Sequence, residues 1–82
     1  AAEAIEAVAH GDTKTSKVVG KRVEQINLPP GTTIGAIVRG DQVVIAHHDT
    51  VIQSEDHVIL FVVDRRRIAE VERLFQVSVT FL

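Results

Sequence analysis

The sequence predicts an α+β domain, a two-layer arrangement of helices on a small, mostly antiparallel sheet. Two short apolar segments, residues 34–39 and 43–46, flank the pair Gly40-Asp41, which suits a two-residue hairpin turn of type II′. A third apolar run, residues 58–63, is short and rich in β-branched residues, as strands are. Amphipathic segments with helical spacing lie before and after these strands, so helices are expected to cover one face of the sheet.

The first amphipathic segment is predicted to form a helix that begins near Lys17 or Gly20, with Thr15 or Ser16 as its N-cap. The helix ends before the double proline of residues 28–31, because proline cannot donate to a helical ladder and restricts the residue before it. Its apolar residues recur at helical spacing on one face: Val19, Val23 and Ile26.

The second amphipathic segment predicts a closing helix over residues 65–75, with Asp64 as its cap. Its apolar stripe comprises Ile68, Val71, Leu74 and Phe75. Residues 76–82 then alternate apolar with polar side chains and predict an extra C-terminal strand. Between the hairpin and the third strand, Val51 and Ile52 suit a short strand or a single bridge.

Apolar residues make up 45% of the 82-residue chain, but only three residues are aromatic, so the core must consist mainly of valine, isoleucine and leucine. A chain this short has a small core. We therefore expect an apolar patch to remain exposed and to bind a second copy of the chain. The run at 58–63 is continuously apolar, which predicts burial on both of its faces, one against helices and the other against that second copy.

Charge and composition disfavour several classes of protein. The net charge is −2 and the two signs are interspersed, which disfavours binding to nucleic acid or adsorption to anionic lipid. Cysteine is absent, so no disulfide or thiolate zinc site can form. The longest apolar run is far shorter than the roughly 20 residues that cross a membrane, so we expect no direct insertion. No signal peptide is visible and the chain begins without methionine, from which we expect a piece of a longer protein.

The sequence offers no recognisable catalytic machinery, so we expect that the protein is not an enzyme and holds neither a metal nor a cofactor in this chain. No serine stands in a Gly-x-Ser-x-Gly turn, and neither common glycine-rich nucleotide loop is present. His47 and His48 are adjacent, so on extended backbone they point to opposite sides and do not suit one metal ion. They are interpreted as exposed loop residues. The basic run at residues 65–67 is interpreted as a solvated face.

Several segments follow one another in a distinctive order. Residues 20–29 read Gly-Lys-Arg-Val-Glu-Gln-Ile-Asn-Leu-Pro, and residues 34–40 read Ile-Gly-Ala-Ile-Val-Arg-Gly. Val-Ile-Ala follows at 44–46, then Asp-Thr-Val-Ile opens the segment 49–61. Together with the tail at 71–82, this order resembles the C-terminal lobe of the regulator-of-potassium-conductance family.

The resemblance implies the element order β-α-β-β-β-α, with a strand over residues 4–9, although alanine and glutamate there favour helix by intrinsic propensity. It also implies that residues 1–82 form a single C-terminal regulatory lobe that pairs with a second copy. Full-length members of the family carry a separate nucleotide-binding lobe, whose glycine fingerprint this chain lacks.

The resemblance further implies a function, namely a dimerising regulatory lobe in a cytoplasmic subunit that controls potassium uptake at the inner face of the cell membrane. The expected partners are a second copy, the nucleotide-binding lobe of the parent protein and a potassium transporter subunit in the membrane. We expect the dimer contact to involve the hairpin of residues 34–46 and the apolar side chains of the C-terminal strand. Those side chains are Val77, Val79 and Phe81.

An alternative function is a sensor for a small, nucleotide-like effector. The resemblance implies that some members bind one in the cleft between paired lobes, which places the candidate site near Arg39, His47 and His48. The sequence departs from the family pattern at Ala46, where many members have proline, and at Glu55, where a turn usually has glycine. At Glu55 the side chain requires either an ordinary backbone conformation or a strained one.

Overall fold

A computed structural model describes residues 2–78, and within them four strands form one antiparallel sheet. The strand order is β1-β4-β2-β3, so β1 and β3 are the two edges. This confirms the predicted α+β class. The elements are β1 (Glu3–Ala9), β2 (Thr32–Arg39), β3 (Gln42–Ile45), β4 (Asp56–Val62) and a closing helix α1 (Ile68–Leu74).

The hairpin between β2 and β3 forms as its turn residues predict. Arg39 pairs with Gln42, so the loop contains two residues, and Gly40 has φ of +61°. Asp41 does not have a positive φ, which fits a type II′ turn, in which only the first central residue is left-handed.

The strand implied at residues 4–9 is also confirmed, as β1. Pairing with β4 places Ile5 opposite Leu60 and Ala7 opposite Val58, so the inward side chains of β1 join the core. This tertiary contact outweighs the weak helical propensity of alanine and glutamate.

The helix predicted to begin near Lys17 or Gly20 is wrong. The Ser16 hydroxyl accepts hydrogen bonds from the amides of Val18 and Val19 and caps only a turn, after which Gly20 adopts φ of +85°. The backbone then bonds to residues 50–52 instead of to itself, because Gly20 N donates to Ile52 O. Only a 3₁₀ turn, Val23–Gln25, remains of the helix.

The backbone of residues 20–22 therefore satisfies its hydrogen bonds across the fold rather than along a helix. Ile52 N donates back to Lys21 O, and Arg22 forms an isolated bridge with Val51. The bridge confirms the prediction of a short strand or bridge at Val51 and Ile52. The three residues of the predicted apolar face are nevertheless directed inward, since Val19 and Ile26 lie in the core and Val23 packs against it.

The closing helix confirms the second helix prediction, with a 3₁₀ first turn at Arg65–Arg67 that leads into α1. The Asp64 carboxylate accepts from the Arg66 amide, as the cap assignment requires. Of the apolar stripe, Val71 and Phe75 are buried, and Ile68 and Leu74 pack against the core at its edge.

The sequence predicts an extra strand over residues 76–82, and the structure describes residues 76–78 of this segment. Residues 76–78 carry no strand assignment, and Val77 is half-buried. Val79 and Phe81 lie outside the described residues.

Within a single chain, residues 58–63 are buried on one face, and the burial of their other face against a second copy stays a prediction. Val58, Leu60 and Val62 point into the core, whereas Ile59 is half-buried and Phe61 is 45% exposed. One face of the sheet is therefore covered and the other, here called the open face, is not. The register places these side chains on the open face: Glu6, Val8, Val38, Val43, Ile45, His57, Ile59 and Phe61.

Candidate functional site

The apolar part of the open face is concentrated on the β3 side of the sheet. Val43 is 68% exposed and Ile45 is 62% exposed, although both are strand residues. They lie in register with Val38 and Ala36 of β2, so the apolar surface continues inward from the edge. An exposed apolar surface of this kind, on a small domain, is typical of a partner contact.

The opposite side of the open face is polar. His57 Nδ1 lies 2.9 Å from Glu6 Oε2, and the two side chains are 47% and 54% exposed. The register places Glu6 opposite Ile59 and His57 opposite Val8, so this pair lies beside the apolar side chains on the β1 half. The open face therefore has an apolar half near β3 and a charged half near β1.

A β-bulge in β2 shapes the middle of the open face. The pairing of β2 with β4 shifts between Ile34 and Ala36, which leaves Gly35 as the extra residue. The Phe61 ring lies directly over Gly35, where an added Cβ would stand 2.5 Å from Cε2 of the ring. Glycine at this position thus leaves room for the aromatic ring against the strand.

Arg39 is held in a bidentate contact with a buried carboxylate. Its Nε lies 2.9 Å from Asp56 Oδ1 and its terminal nitrogen lies 2.8 Å from Oδ2, while that nitrogen also reaches Val51 O at 3.0 Å. Asp56 is 1% exposed and accepts a further hydrogen bond from the Gln53 amide at 2.8 Å. The contact ties the end of β2 to the start of β4 and to the loop between.

The charges of this contact stabilise each other. Burial alone would raise the pKa of the Asp56 carboxyl, but the hydrogen bonds from Arg39 and from the Gln53 amide outweigh it and hold that pKa below its usual value. The hydrogen bond with Asp56 in turn raises the pKa of Arg39. The sequence alone does not reveal this role of Asp56, since an acid beside Ser54 and Glu55 is typical of a polar turn.

The two histidines of the candidate effector site lie away from Arg39. Arg39 pairs with the first residue of β3, whereas His47 and His48 follow its last residue. The His47 amide donates to Thr50 Oγ1 at 2.9 Å, and both histidines are exposed, as expected for loop residues. The structure therefore places Arg39 and the histidines at opposite ends of β3. Within residues 2–78, no group of three His, Asp or Glu side chains is placed to hold a metal ion.

Val77 lies on the other side of the sheet from the hairpin. With Ala7, Val8 and Phe75 it lines an open groove of about 620 Å³ between β1 and the end of α1. The hairpin ends in β3, which is the opposite edge of the sheet. Val77 and the hairpin, which the sequence predicts to share one dimer contact, therefore lie at opposite edges of the sheet.

Glu55, at a position where the family usually has glycine, adopts a strained backbone conformation. Its φ is +69°, the only positive value for a non-glycine residue among those described. Its amide donates to Ala9 O at 2.7 Å, and its carboxylate lies 3.0 Å from His10 Nδ1. The hydrogen bond to β1 holds the turn in this conformation.

In the described part of the chain, the only α-helix is far too short to cross a bilayer.

A family model described as the TrkA-C domain matches residues 12–76. The chain belongs to the TrkA-C domain family. The resemblance seen in the sequence is thereby confirmed.

Relatives with high identity carry the same family name. The chain is 69% identical to the Trk system potassium uptake protein TrkA of Halomonas elongata over 99% of its length. It is 63% identical to the protein of the same name from Vibrio alginolyticus over its whole length. In both comparisons the chain spans only 18% of the relative's length.

Two solved structures share the fold. One, titled as an RCK domain with cda, superposes with a TM-score of 0.70 at 14% identity and covers 89% of this chain and 97% of its own. The other is titled as an RCK_C domain dimer of S. agalactiae BusR in complex with c-di-AMP. It also has a TM-score of 0.70, at 27% identity, and covers 88% of this chain and 93% of its own.

Proposed function

We propose that this chain is the dimerising regulatory domain of a cytoplasmic subunit that controls potassium uptake through a Trk-type transporter. The observation that carries the proposal is the match of nearly the whole chain to 18% of the length of each of two potassium uptake proteins, at 69% and 63% identity. The domain acts by binding and not by catalysis. Its partners are a second copy, the nucleotide-binding lobe of the parent protein and the membrane transporter subunit.

The exposed apolar half of the open face supports dimerisation. Val43 and Ile45 are strand residues that are more than half exposed, and a second copy would remove them from water. The solved neighbour at 27% identity is titled as a dimer of the corresponding domain. A dimer of regulatory lobes links the conformations of two subunits, and such coupling is typically worth about 1–3 kcal/mol.

Potassium uptake by a chimera tests the regulatory role. This chain replaces the corresponding 18% of the Halomonas elongata protein in a strain whose potassium uptake depends on that protein. The chimera should restore uptake, and a truncated protein without the segment should not. A matched chimera carries Arg39→Met, which breaks the contact with the buried Asp56 carboxylate. It shows how much uptake is lost when the domain is present but destabilised. Equal uptake by the truncated protein and the intact protein would refute the regulatory role.

The second candidate function is recognition of a nucleotide-like effector near Arg39, His47 and His48, as the neighbour titled with c-di-AMP suggests. In this chain Arg39 Nε and one terminal nitrogen are already engaged by Asp56 and Val51. An effector at Arg39 would therefore meet the remaining guanidinium nitrogen, and the exposed histidines at the other end of β3 would form a separate contact.

Thermal unfolding with and without c-di-AMP tests the effector proposal. Saturable stabilisation of the wild type is expected, since a ligand that binds only the folded state raises the unfolding temperature. The stabilisation should be lost in His47→Ala with His48→Ala, which leaves the core contact of Arg39 intact. Arg39→Ala is a poor probe, because it also strands the buried Asp56 carboxylate. No shift in the wild type at millimolar ligand would exclude this candidate.

A further inference from the structure

The edge of β1 carries free backbone groups. The Glu55 amide donates to Ala9 O at 2.7 Å, so the backbone groups of Ala9 face the β4 side. Because successive residues of a strand direct these groups to opposite sides, the amides of Ala4, Glu6 and Val8 point away from the sheet. The Val8 carbonyl accepts from the amide two residues ahead at 3.1 Å, whereas the carbonyls of Ala4 and Glu6 also point outward. An extended partner therefore finds both donors and acceptors along this edge.

A groove with an apolar floor lies beside the same edge. Ala7, Phe75 and Val77 line it where β1 faces the end of α1, and its volume is about 620 Å³. Ala7 points to the core side of the sheet, whereas Glu6 and Val8 stand on the open face. The side chains of a strand added to β1 would alternate in the same way. Every second side chain of that strand would therefore enter the groove.

The rim of the groove is acidic. Glu6 of β1 and Glu72 of α1 both line it, and both are exposed. Glu6 Oε2 contacts His57 Nδ1 at 2.9 Å, which leaves Glu6 Oε1 for a partner. Among the residues that the structure describes, no lysine or arginine lines the groove. These carboxylates favour a partner that carries lysine or arginine.

The same charges make a second copy of the chain a poor occupant of this edge. An antiparallel two-fold contact centred on Glu6 would set its carboxylate opposite the same carboxylate of the other copy. Like charges that face each other across a strand pair are destabilising. Acidic residues on an edge strand are a common protection against such self-pairing, and they leave the edge open to a cationic strand.

We propose that the β1 edge binds an extended, cationic segment of a partner protein, which adds a strand to the sheet. In an antiparallel register, a lysine or arginine of the segment lies opposite Glu6 and exchanges backbone hydrogen bonds with it. Its neighbours lie opposite Ile5 and Ala7, are apolar and enter the groove towards Val77. This surface is separate from the apolar half of the open face near β3, so the inference does not depend on the proposed dimer.

Nuclear magnetic resonance titration of the whole chain with a synthetic peptide tests the proposal. The probe is the acetylated and amidated peptide Lys-Val-Lys-Val-Lys-Val-Lys, which has the required alternation. The amide resonances of Ala4, Glu6 and Val8 should shift saturably and become protected from hydrogen exchange. N-methylation of the lysine amides keeps every side chain but removes the donors that face β1, so this peptide should bind about tenfold more weakly, or worse. Glu-Val-Glu-Val-Glu-Val-Glu should not bind.

Matched charge variants test the acidic rim. Glu6→Gln with Glu72→Gln removes two exposed carboxylates, so binding of the lysine peptide should weaken about tenfold with an unchanged fold. Asp41→Asn with Asp49→Asn makes the same change in net charge at exposed sites that flank β3, and should leave binding unchanged. Equal weakening by the two pairs of substitutions would overturn the assignment of the rim.

Two further results would overturn the proposal. The first is the absence of a saturable shift at these amides with millimolar peptide, or equal binding of the N-methylated peptide. The second concerns residues 79–82, which are the other candidate occupant of the groove. Binding that occurs only when the chain is shortened to end at Ser78 would assign the groove to those residues and exclude a separate partner.

Discussion

The contact between Arg39 and the buried Asp56 should contribute strongly to stability. Arg39→Met keeps the aliphatic stem but removes both hydrogen bonds to the carboxylate, which is then left with the Gln53 amide alone. Removing one partner of a buried ion pair costs about 3–5 kcal/mol. The Arg39 side chain is 30% exposed, so we expect the lower end, about 3 kcal/mol.

The loss of stability in Arg39→Met has an upper bound, because the Asp56 carboxylate can take up a proton once its partner is removed. Protonating an ordinary carboxyl group costs about 4 kcal/mol at pH 7 and about 1.5 kcal/mol at pH 5. The pKa of Asp56 is lowered in the wild type, so its contribution is fully present above the ordinary pKa and is lost as the pH falls through the lowered one. The loss of unfolding free energy caused by Arg39→Met should therefore be less than about 2 kcal/mol at pH 5.

Urea unfolding at pH 7 and pH 5, followed by far-ultraviolet circular dichroism, measures both quantities. The signal must come from the backbone because the chain has neither tryptophan nor tyrosine. In a small domain the free energy of unfolding falls by about 1 kcal/mol per molar urea, so the urea midpoint of the variant at pH 7 should be about 3 M lower than that of the wild type. Arg39→Lys keeps the charge but not the two-pronged geometry and should give an intermediate loss. A loss below about 1 kcal/mol at pH 7 would refute the reasoning.

Three further substitutions test other parts of the structure by the same unfolding assay. Asp56→Asn removes the titrating carboxyl, so stability should fall less steeply than in the wild type as the pH falls below the ordinary carboxyl pKa of about 4, and an unchanged slope would contradict the assignment. Glu55→Gly relieves the left-handed backbone and removes only an exposed pair with His10, so stability should rise by about 0.5–1 kcal/mol, and a decrease would count against strain. Gly35→Ala should displace the half-exposed Phe61 ring at a cost of about 1 kcal/mol, visible as a shift of its ring resonances, and unshifted resonances would contradict the close approach.

The parts of the fold that sequence reasoning predicted are those fixed by local chemistry. The turn at Gly40 determines the hairpin, and the Asp64 cap with its apolar stripe determines the closing helix. The strand β1 needed the family resemblance, because its alanine and glutamate residues alone favour a helix. The predicted first helix failed because Gly20 and Lys21 bond to Ile52, and a pattern of side chains does not show such distant backbone partners.

The candidate site was predicted less completely, for the same reason. Arg39 was selected from the sequence, but its partner Asp56 is 17 residues away and lies in a segment typical of a polar turn. The excess of apolar residues predicts an exposed patch but not its location at Val43 and Ile45. These residues are exposed because β3 is an edge strand, and the sequence of a strand does not show where it lies in the sheet. Val77 was grouped with the hairpin, although the sheet separates them.

The central claim is that this domain is completed by a second copy of itself. Sedimentation velocity of the isolated wild-type chain, from about ten to several hundred micromolar, tests it most directly, since a contact of this size is expected to be weak. We expect a concentration-dependent shift from the monomer to the dimer. A sedimentation coefficient that stays at the value of the monomer across the whole range would contradict it.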